Sequence, residues 1–156
     1  MGEPVPTGDG VGAVPRLRHR GRVPGRQYAF RPLCTWSRAH SAAIVRDAVA
    51  VDLHPVVVMG DLNAGPGSRP LRELFARGHL LDAWHAADTR LTTEYGTYAR
   101  YRSPRPGKRI DWIAVSPDVR VERIGINPAS IDGGWPSDHL LVQAAVVLPQ
   151  NGVSVR

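Results

Sequence analysis

The stretch Val56-Val57-Val58-Met59-Gly60-Asp61-Leu62-Asn63-Ala64-Gly65-Pro66-Gly67-Ser68 joins a short apolar run to two polar side chains and a glycine-rich turn. Four large apolar residues in succession predict a strand buried on both faces, and the glycines predict the loop that ends it. In an extended chain Asp61 and Asn63 would point to the same side. A carboxylate and an amide placed together can hold a cation, a phosphate or a water, although the same residues are also common in turns.

The sequence on both sides of this strand predicts helices, so the strand belongs to an α/β unit. Apolar residues recur at three- and four-residue spacings from Ser37 onward, and a proline at position 55 ends that pattern. After the strand, Ser68 is suited to capping a second helix, with Pro70 in its first turn and Gly78 beyond its end. The range 80–87 predicts a further helical turn.

A second informative stretch is Arg109-Ile110-Asp111-Trp112-Ile113-Ala114-Val115-Ser116, which predicts a strand with one carboxylate between apolar neighbours. Burying an unpaired carboxylate costs several kcal/mol, so Asp111 needs a donor that faces it. That donor is either a histidine in a catalytic site or an arginine, Arg109 or Arg123, in a structural ion pair. The sequence alone leaves both alternatives open.

The third stretch is Ser137-Asp138-His139, which directly precedes a long apolar run at 140–148; an alternating strand is predicted before it, at 119–126. Adjacent residues of an extended chain point to opposite faces, so Asp138 and His139 can have different roles. This arrangement suits a hydrolytic site in which the carboxylate binds a metal, the imidazole serves a phosphate or a water, and Asp111 fixes the imidazole tautomer. A Ser-Asp-His tripeptide is equally typical of a simple turn.

Composition predicts one folded domain with an irregular arm. The chain has 156 residues, and residues 1–33 hold six Gly and five Pro and carry +4 of the formal net charge of +6. We therefore expect residues 1–33 to form an irregular or disordered arm. Because most of the positive net charge lies in this arm, the charge indicates little about a binding partner for the rest of the chain. The single cysteine, Cys34, excludes an intramolecular disulfide. No apolar run is long enough to cross a membrane and no signal peptide is recognised, so we expect a cytoplasmic protein without a membrane partner.

The three motifs, in this order, resemble the C-terminal half of the endonuclease/exonuclease/phosphatase superfamily. They are Gly60-Asp61-Leu62-Asn63-Ala64, Arg109-Ile110-Asp111-Trp112-Ile113 and Pro136-Ser137-Asp138-His139. The superfamily includes deoxyribonuclease I, abasic-site endonucleases, and inositol-polyphosphate and sphingolipid phosphoesterases. The resemblance implies an α/β (α+β) fold, a deoxyribonuclease I-like sandwich of which about half is present as one mixed sheet with covering helices. This half would span 34–149, with 150–156 as a tail.

The resemblance also implies a divalent-metal phosphoesterase site. Asp61 would help to position or activate the attacking water, and Asn63 would contact the phosphate. Asp138, together with Asp61, would bind Mg²⁺ or Mn²⁺. His139 would serve the scissile phosphate and its attacking water, while Asp111 would orient that imidazole. The implied substrate is a phosphate ester, either a nucleic acid or a phosphorylated small molecule.

One departure from the superfamily pattern keeps two functions open. Superfamily members have a first sheet that contributes an asparagine, a glutamate and a second histidine, and no such motif is recognised in this sequence. The chain is therefore either a Mg²⁺-dependent phosphoesterase (nuclease or phosphatase), or a truncated, inactive fragment that acts as a phosphate- or nucleic-acid-binding module. Without a partner sheet, the apolar strand faces would meet water, which predicts self-association through an exposed sheet face. Substrate choice would fall to the loop at 95–108, whose tyrosines and arginines either bind nucleic acid or are simply solvated.

Overall fold

The computed structural model describes residues 34–149, and the predictions made for 1–33 and 150–156 lie outside this range. The described chain contains three helices and six strands, of which the last four strands follow one another without an intervening helix. In order they are α1 (Thr35–Ala50), β1 (Val57–Asp61), α2 (Arg69–Leu74), β2 (Leu81–Asp82), α3 (Ala83–Ala86), β3 (Thr89–Arg90), β4 (Asp111–Val115), β5 (Arg120–Ile126) and β6 (Val142–Val147), with a short 3₁₀ turn at Ala76–Gly78.

The predicted helices are confirmed, with one difference in capping. Helix α1 forms where the apolar spacing predicts it and buries Ala39, Ala42 and Val45 against α2, but Ile44 and Val51, which belong to that spacing, are exposed. Ser68 lies at the N-cap of α2 and Pro70 lies in its first turn, but the Ser68 hydroxyl makes no capping hydrogen bond. The start of α2 is therefore set by the proline and by burial of its apolar face, rather than by the serine side chain.

The mixed α/β architecture is confirmed, and its strands are distributed over two three-stranded sheets where the sequence predicted one. The first sheet has the order β1-β4-β2 and is antiparallel throughout; the second has the order β3-β5-β6, with β3 parallel and β6 antiparallel to β5. A strand has only two edges for hydrogen bonding, and both edges of β4 are taken by β1 and β2. Strand β6 therefore pairs with β5 and packs against β4 through side chains.

Strand β4 is buried on both faces, which explains why its sequence does not alternate in polarity. Trp112 and Ala114 pack in one apolar cluster with residues of α1 and α2, whereas Ile113 and Val115 pack in a second cluster with residues of β5. Side chains two residues apart share a face of a strand. Asp111 therefore lies on the face of β4 that is turned toward the β5-β6 sheet.

Exposure of the strand faces is uneven. Ile113 is only 7% exposed, but Met59 of β1 is 69% exposed and Leu141, just before β6, is 63% exposed. The predicted contact of apolar side chains with water thus holds for Met59 in the first sheet and, at the two ends of β6, for Leu141, Val147 and Leu148, but not for β4. Among the described residues, no helix is long and apolar enough to cross a membrane.

Candidate functional site

Two carboxylates face each other where β1 ends and β4 begins. The antiparallel register pairs Asp61 of β1 directly with Asp111 of β4. Directly opposed residues of an antiparallel pair have their side chains on the same face, and like charges in that position repel each other. The pair therefore needs a compensating positive charge or hydrogen-bond donors.

Asn63 supplies donors to one of these carboxylates. Its backbone N–H donates to Oδ1 of Asp61 at 2.7 Å, and its side-chain amide donates to Oδ2 at 2.9 Å. The prediction that strand alternation aligns the two side chains is wrong, because β1 ends at Asp61 and Asn63 has a φ of 48°. A turn closed by the aspartate side chain brings them together instead, and asparagine tolerates this left-handed backbone conformation better than most residues.

His139 supplies the donor to the other carboxylate. Its Nδ1 lies 2.8 Å from Oδ2 of Asp111, with the two side chains 26% and 18% exposed. The partner of Asp111 is therefore a histidine. Arg109 pairs with other carboxylates: it is buried and forms ion pairs with Asp82 at 2.7 Å and with Glu94 at 2.9 Å.

His139 is held in place by the 95–108 loop rather than by β6. Strand β6 begins only at Val142, and His139 instead forms an isolated antiparallel bridge with Tyr98. The rings of Tyr98 and His139 are 5.1 Å apart between centroids and tilted by 49°. Tyr98 therefore covers one side of the imidazole, a role that the sequence did not indicate.

The negative charges around His139 change its acid-base behaviour. Partial burial lowers the pKa of His139, but the hydrogen bond to Asp111 and the charges of Asp111, Asp61 and Asp138 together raise it by more. The net effect is a pKa raised above the ordinary histidine value of 6.5. The site thus favours the protonated imidazole, which offsets the repulsion between the two opposed carboxylates.

Asp61, Asp111 and His139 form one group of possible metal ligands. One ligand atom from each lies within 4.8 Å of the others. Carboxylate oxygens are the donors that Mg²⁺ and Mn²⁺ prefer, so this donor set fits a hard divalent cation. Asp138, predicted as a metal ligand together with Asp61, is outside this group, although its charge acts on His139.

A cavity of about 240 Å³ adjoins the pair of Asp111 and His139. Its wall is mainly apolar and includes Met59, Ile113 and Leu141. Asp111 and His139 therefore lie at the rim of a recess with a mainly apolar wall.

Sequence reasoning missed two residues that support this site, Thr97 and Tyr98. Thr97 is fully buried, and its hydroxyl accepts hydrogen bonds from the backbone N–H groups of Ile110 and Asp111. Both residues lie in a segment, 92–101, whose alternation is compatible with either a strand or an exposed aromatic loop. A buried threonine acceptor leaves no pattern in a single sequence, so no signal there could have identified this contact.

Comparison with known proteins assigns the chain to a family. The family model described as "Endonuclease/Exonuclease/phosphatase family" matches residues 2–139. No curated protein sequence matches the chain. The solved structures of two Bacteroides proteins are each similar to about three quarters of the chain.

A mannosyl-6-phosphatase from Bacteroides thetaiotaomicron has a TM-score of 0.66 at 25% identity, covering 76% of this chain and 48% of that protein. An endonuclease/exonuclease/phosphatase from Bacteroides vulgatus has a TM-score of 0.64 at 27% identity, covering 77% of this chain and 47% of that protein. The chain thus spans about half the length of these relatives. Since the family model covers most of its residues, the chain belongs to the Endonuclease/Exonuclease/phosphatase family.

Proposed function

We propose that this chain provides a phosphoesterase site that uses Mg²⁺ or Mn²⁺ to hydrolyse phosphate esters. The observation that carries the proposal is the convergence of Asp61, Asp111 and His139 within 4.8 Å from three separate segments of the chain. Structural clustering of charged side chains at a cavity rim is typical of a site rather than of a core. Family membership and the mannosyl-6-phosphatase relative support the same reaction class.

The proposed roles follow from the hydrogen bonds already made. Nδ1 of His139 is engaged by Asp111, so Nε2 is the nitrogen left for a phosphate oxygen or a water. Asp61 has both oxygens ordered by Asn63 and holds the attacking water at the end of β1. In the roles that the family resemblance implies, Asp61 and Asp138 would hold a divalent ion, although Asp138 lies outside the ligand group of the structure. The ion would neutralise the negative charge on the phosphate oxygens.

We propose a phosphorylated small molecule as the substrate class to test first. The printed name of the relative, mannosyl-6-phosphatase, concerns a phosphate monoester on a sugar. Nucleic acid is the second class, favoured by the exposed arginines at 100, 102 and 105 near the site. Arg100 lies over the ring of Tyr98 at 5.2 Å, and that ring packs on His139, so one arginine of this loop is close to the reacting groups.

The experiment is a hydrolysis assay with Mg²⁺ or Mn²⁺ on sugar phosphates, other phosphate monoesters, DNA and RNA. We expect turnover that is lost in Asp61→Asn and retained in Asp47→Asn, which makes the same chemical change on the exposed side of α1. For any nucleic-acid substrate, replacing Arg100, Arg102 and Arg105 with Ala should reduce the dependence of binding on salt. No hydrolysis above the Asp61→Asn background on any substrate contradicts the enzymatic proposal.

The alternative function is a non-catalytic module that binds phosphate groups or nucleic acid. It predicts binding of phosphate or nucleic acid without turnover, and equal binding by the wild type and by Asp61→Asn.

A cytoplasmic location likewise stays a prediction.

A further inference from the structure

We infer that Thr97 is a positioning residue that fixes Asp111 and His139 relative to each other. The inference rests on the proposed function only in that it concerns the same pair of side chains; its evidence is the hydrogen bonding around Thr97. This residue is 0% exposed and is itself neither a member of the possible metal-ligand group nor part of the cavity lining.

On one side Thr97 holds the beginning of β4. Its Oγ1 accepts from the N–H of Ile110 at 2.9 Å and from the N–H of Asp111 at 3.1 Å. Strand β2 pairs with β4 only at its far end, at Ala114 and Val115. The threonine hydroxyl thus satisfies two backbone donors at the end of β4 that β2 does not reach, and buried N–H groups rarely lack a partner.

On the other side Thr97 holds the segment that carries His139. The carbonyl of Thr97 accepts from the N–H of Leu140 at 2.7 Å, and Tyr98 forms the bridge with His139. The carbonyl of Asp138 accepts from the backbone N–H groups of Ala99 and Arg100, at 2.8 and 2.9 Å. The segment 97–100 therefore lies between the Asp111 strand and the His139 segment and is hydrogen-bonded to both.

The Asp111–His139 hydrogen bond depends on the distance between these two segments. No strand pairing within the described range joins β4 directly to residues 138–140, and Thr97 is bonded to both through one side-chain oxygen and one backbone oxygen. Loss of the side-chain oxygen alone removes two hydrogen bonds from the start of β4, which keeps its pairing with β1, while the Thr97 carbonyl still holds Leu140. Asp111 then shifts relative to the imidazole, and a displacement of about 1 Å costs roughly 100-fold in rate in a preorganised site.

The test compares Thr97→Val, which keeps the shape and removes the acceptor, with Thr97→Ser, which restores the hydroxyl. Thr92→Val is the matched control, because the Thr92 hydroxyl accepts from the N–H of Ile126 at 3.0 Å in the second sheet. The readout is the downfield proton signal of the His139 Nδ1–H, identified in NMR spectra by its absence from His139→Gln.

We expect this proton signal in the wild type, Thr97→Ser and Thr92→Val, and its loss in Thr97→Val below the unfolding transition. On a substrate that is turned over, kcat of Thr97→Val should fall by roughly 100-fold with KM little changed. The NMR arm is independent of turnover, so an inactive chain would refute the proposed function without refuting this inference. A signal retained in Thr97→Val, or lost equally in Thr92→Val, overturns it.

Hydrogen exchange in the wild type gives a test that needs no folded variant. The amide protons of Ile110 and Asp111 should exchange as slowly as those in the paired part of β4. Fast exchange at both positions would show that the threonine does not hold the end of this strand.

Discussion

Nδ1 of His139 lies 2.8 Å from Oδ2 of Asp111 and thereby joins the beginning of β4 to the segment that leads into β6. The two residues are 28 positions apart in sequence, and β4 and β6 belong to different sheets. The contact is therefore a product of tertiary packing, and it fixes which imidazole nitrogen is left for the substrate. Asp61 of β1 lies directly opposite Asp111, so the imidazole also offsets the repulsion between the two carboxylates.

The first prediction concerns Asp111→Asn. We expect a folded protein with activity reduced by about 10²- to 10⁴-fold, because the amide no longer favours the tautomer and charge of the imidazole that the carboxylate favours. An activity assay beside a thermal melt measures both effects, with Asp47→Asn as the control. Normal activity with a clearly lowered midpoint would instead identify Asp111 as a purely structural partner.

The second prediction follows from the raised pKa of His139. A group whose pKa is raised by folding contributes stability that is fully present below its unfolded pKa of about 6.5 and is lost as the pH rises through the folded value. The free energy of unfolding of the wild type should therefore exceed that of His139→Gln most at mildly acid pH. Denaturant unfolding measures this difference at about pH 5.5 and about pH 8.5, which lie below and above the ordinary histidine pKa. A difference that grows toward pH 8.5 would mean that burial outweighs the three carboxylates.

The third prediction concerns Arg109, which is 1% exposed and donates to Asp82 through both terminal nitrogens. Its guanidinium also lies 3.7 Å from the centre of the Trp112 ring. Removing one partner of a buried ion pair leaves an uncompensated charge, so Arg109→Ala should lower the free energy of unfolding by about 3–5 kcal/mol.

The matched control for Arg109 is Arg120→Ala, since Arg120 pairs with Asp88 on the surface with side chains 67% and 48% exposed. Exposed ion pairs contribute about 0–1 kcal/mol, so this change should have little effect. Urea unfolding of both variants makes the comparison. Equal losses would show that the burial of Arg109 adds nothing to its ion pairs.

The sequence predicted most of the fold because local signals and tertiary burial agree there. Helix α1 and strands β1, β4, β5 and β6 all occur where apolar spacing predicts them. The distribution of strands over two sheets was not predicted, because it depends on which edges of β4 are occupied, and edges have no signature in a single sequence.

At the site, the motifs indicated which side chains matter but not how they meet. The approach of Asn63 to Asp61 depends on a left-handed turn, and the support of His139 by Tyr98 depends on how a loop folds against a distant segment. Asp111 needed a donor, and only the packing of the sheets decided between a histidine and an arginine.

The fourth prediction is self-association of the chain through exposed apolar side chains that line the cavity beside Asp111 and His139. Met59 and Leu141 are 69% and 63% exposed and line the same cavity. We expect sedimentation velocity to show concentration-dependent association of the chain, weakened in a Met59→Lys, Leu141→Lys double variant. Leu53→Lys is the control, since Leu53 is 97% exposed and lies outside this cavity. A monomer at all concentrations, or equal effects of both changes, contradicts the prediction.

The last prediction is that the chain binds Mg²⁺ only weakly, with Kd on the order of millimolar. Mg²⁺ requires near-octahedral oxygen ligation and keeps several waters, so its affinity depends on how many carboxylate oxygens are fixed around it. In the described part of the chain, the ligand group has two carboxylates, of which Asp111 is engaged by His139 and Asp61 accepts two hydrogen bonds from Asn63.

Calorimetry on four proteins tests this prediction: the wild type, Asp61→Asn, Asp138→Asn and the Asp47→Asn control. We expect both site variants to weaken Mg²⁺ binding further and the control to leave it unchanged. Since a bound dication disfavours the protonated imidazole, binding should also release protons from His139 at mildly acid pH. An unchanged affinity in Asp138→Asn would remove Asp138 from the ligand set. Micromolar affinity in the wild type would show that residues outside the described range complete the metal site.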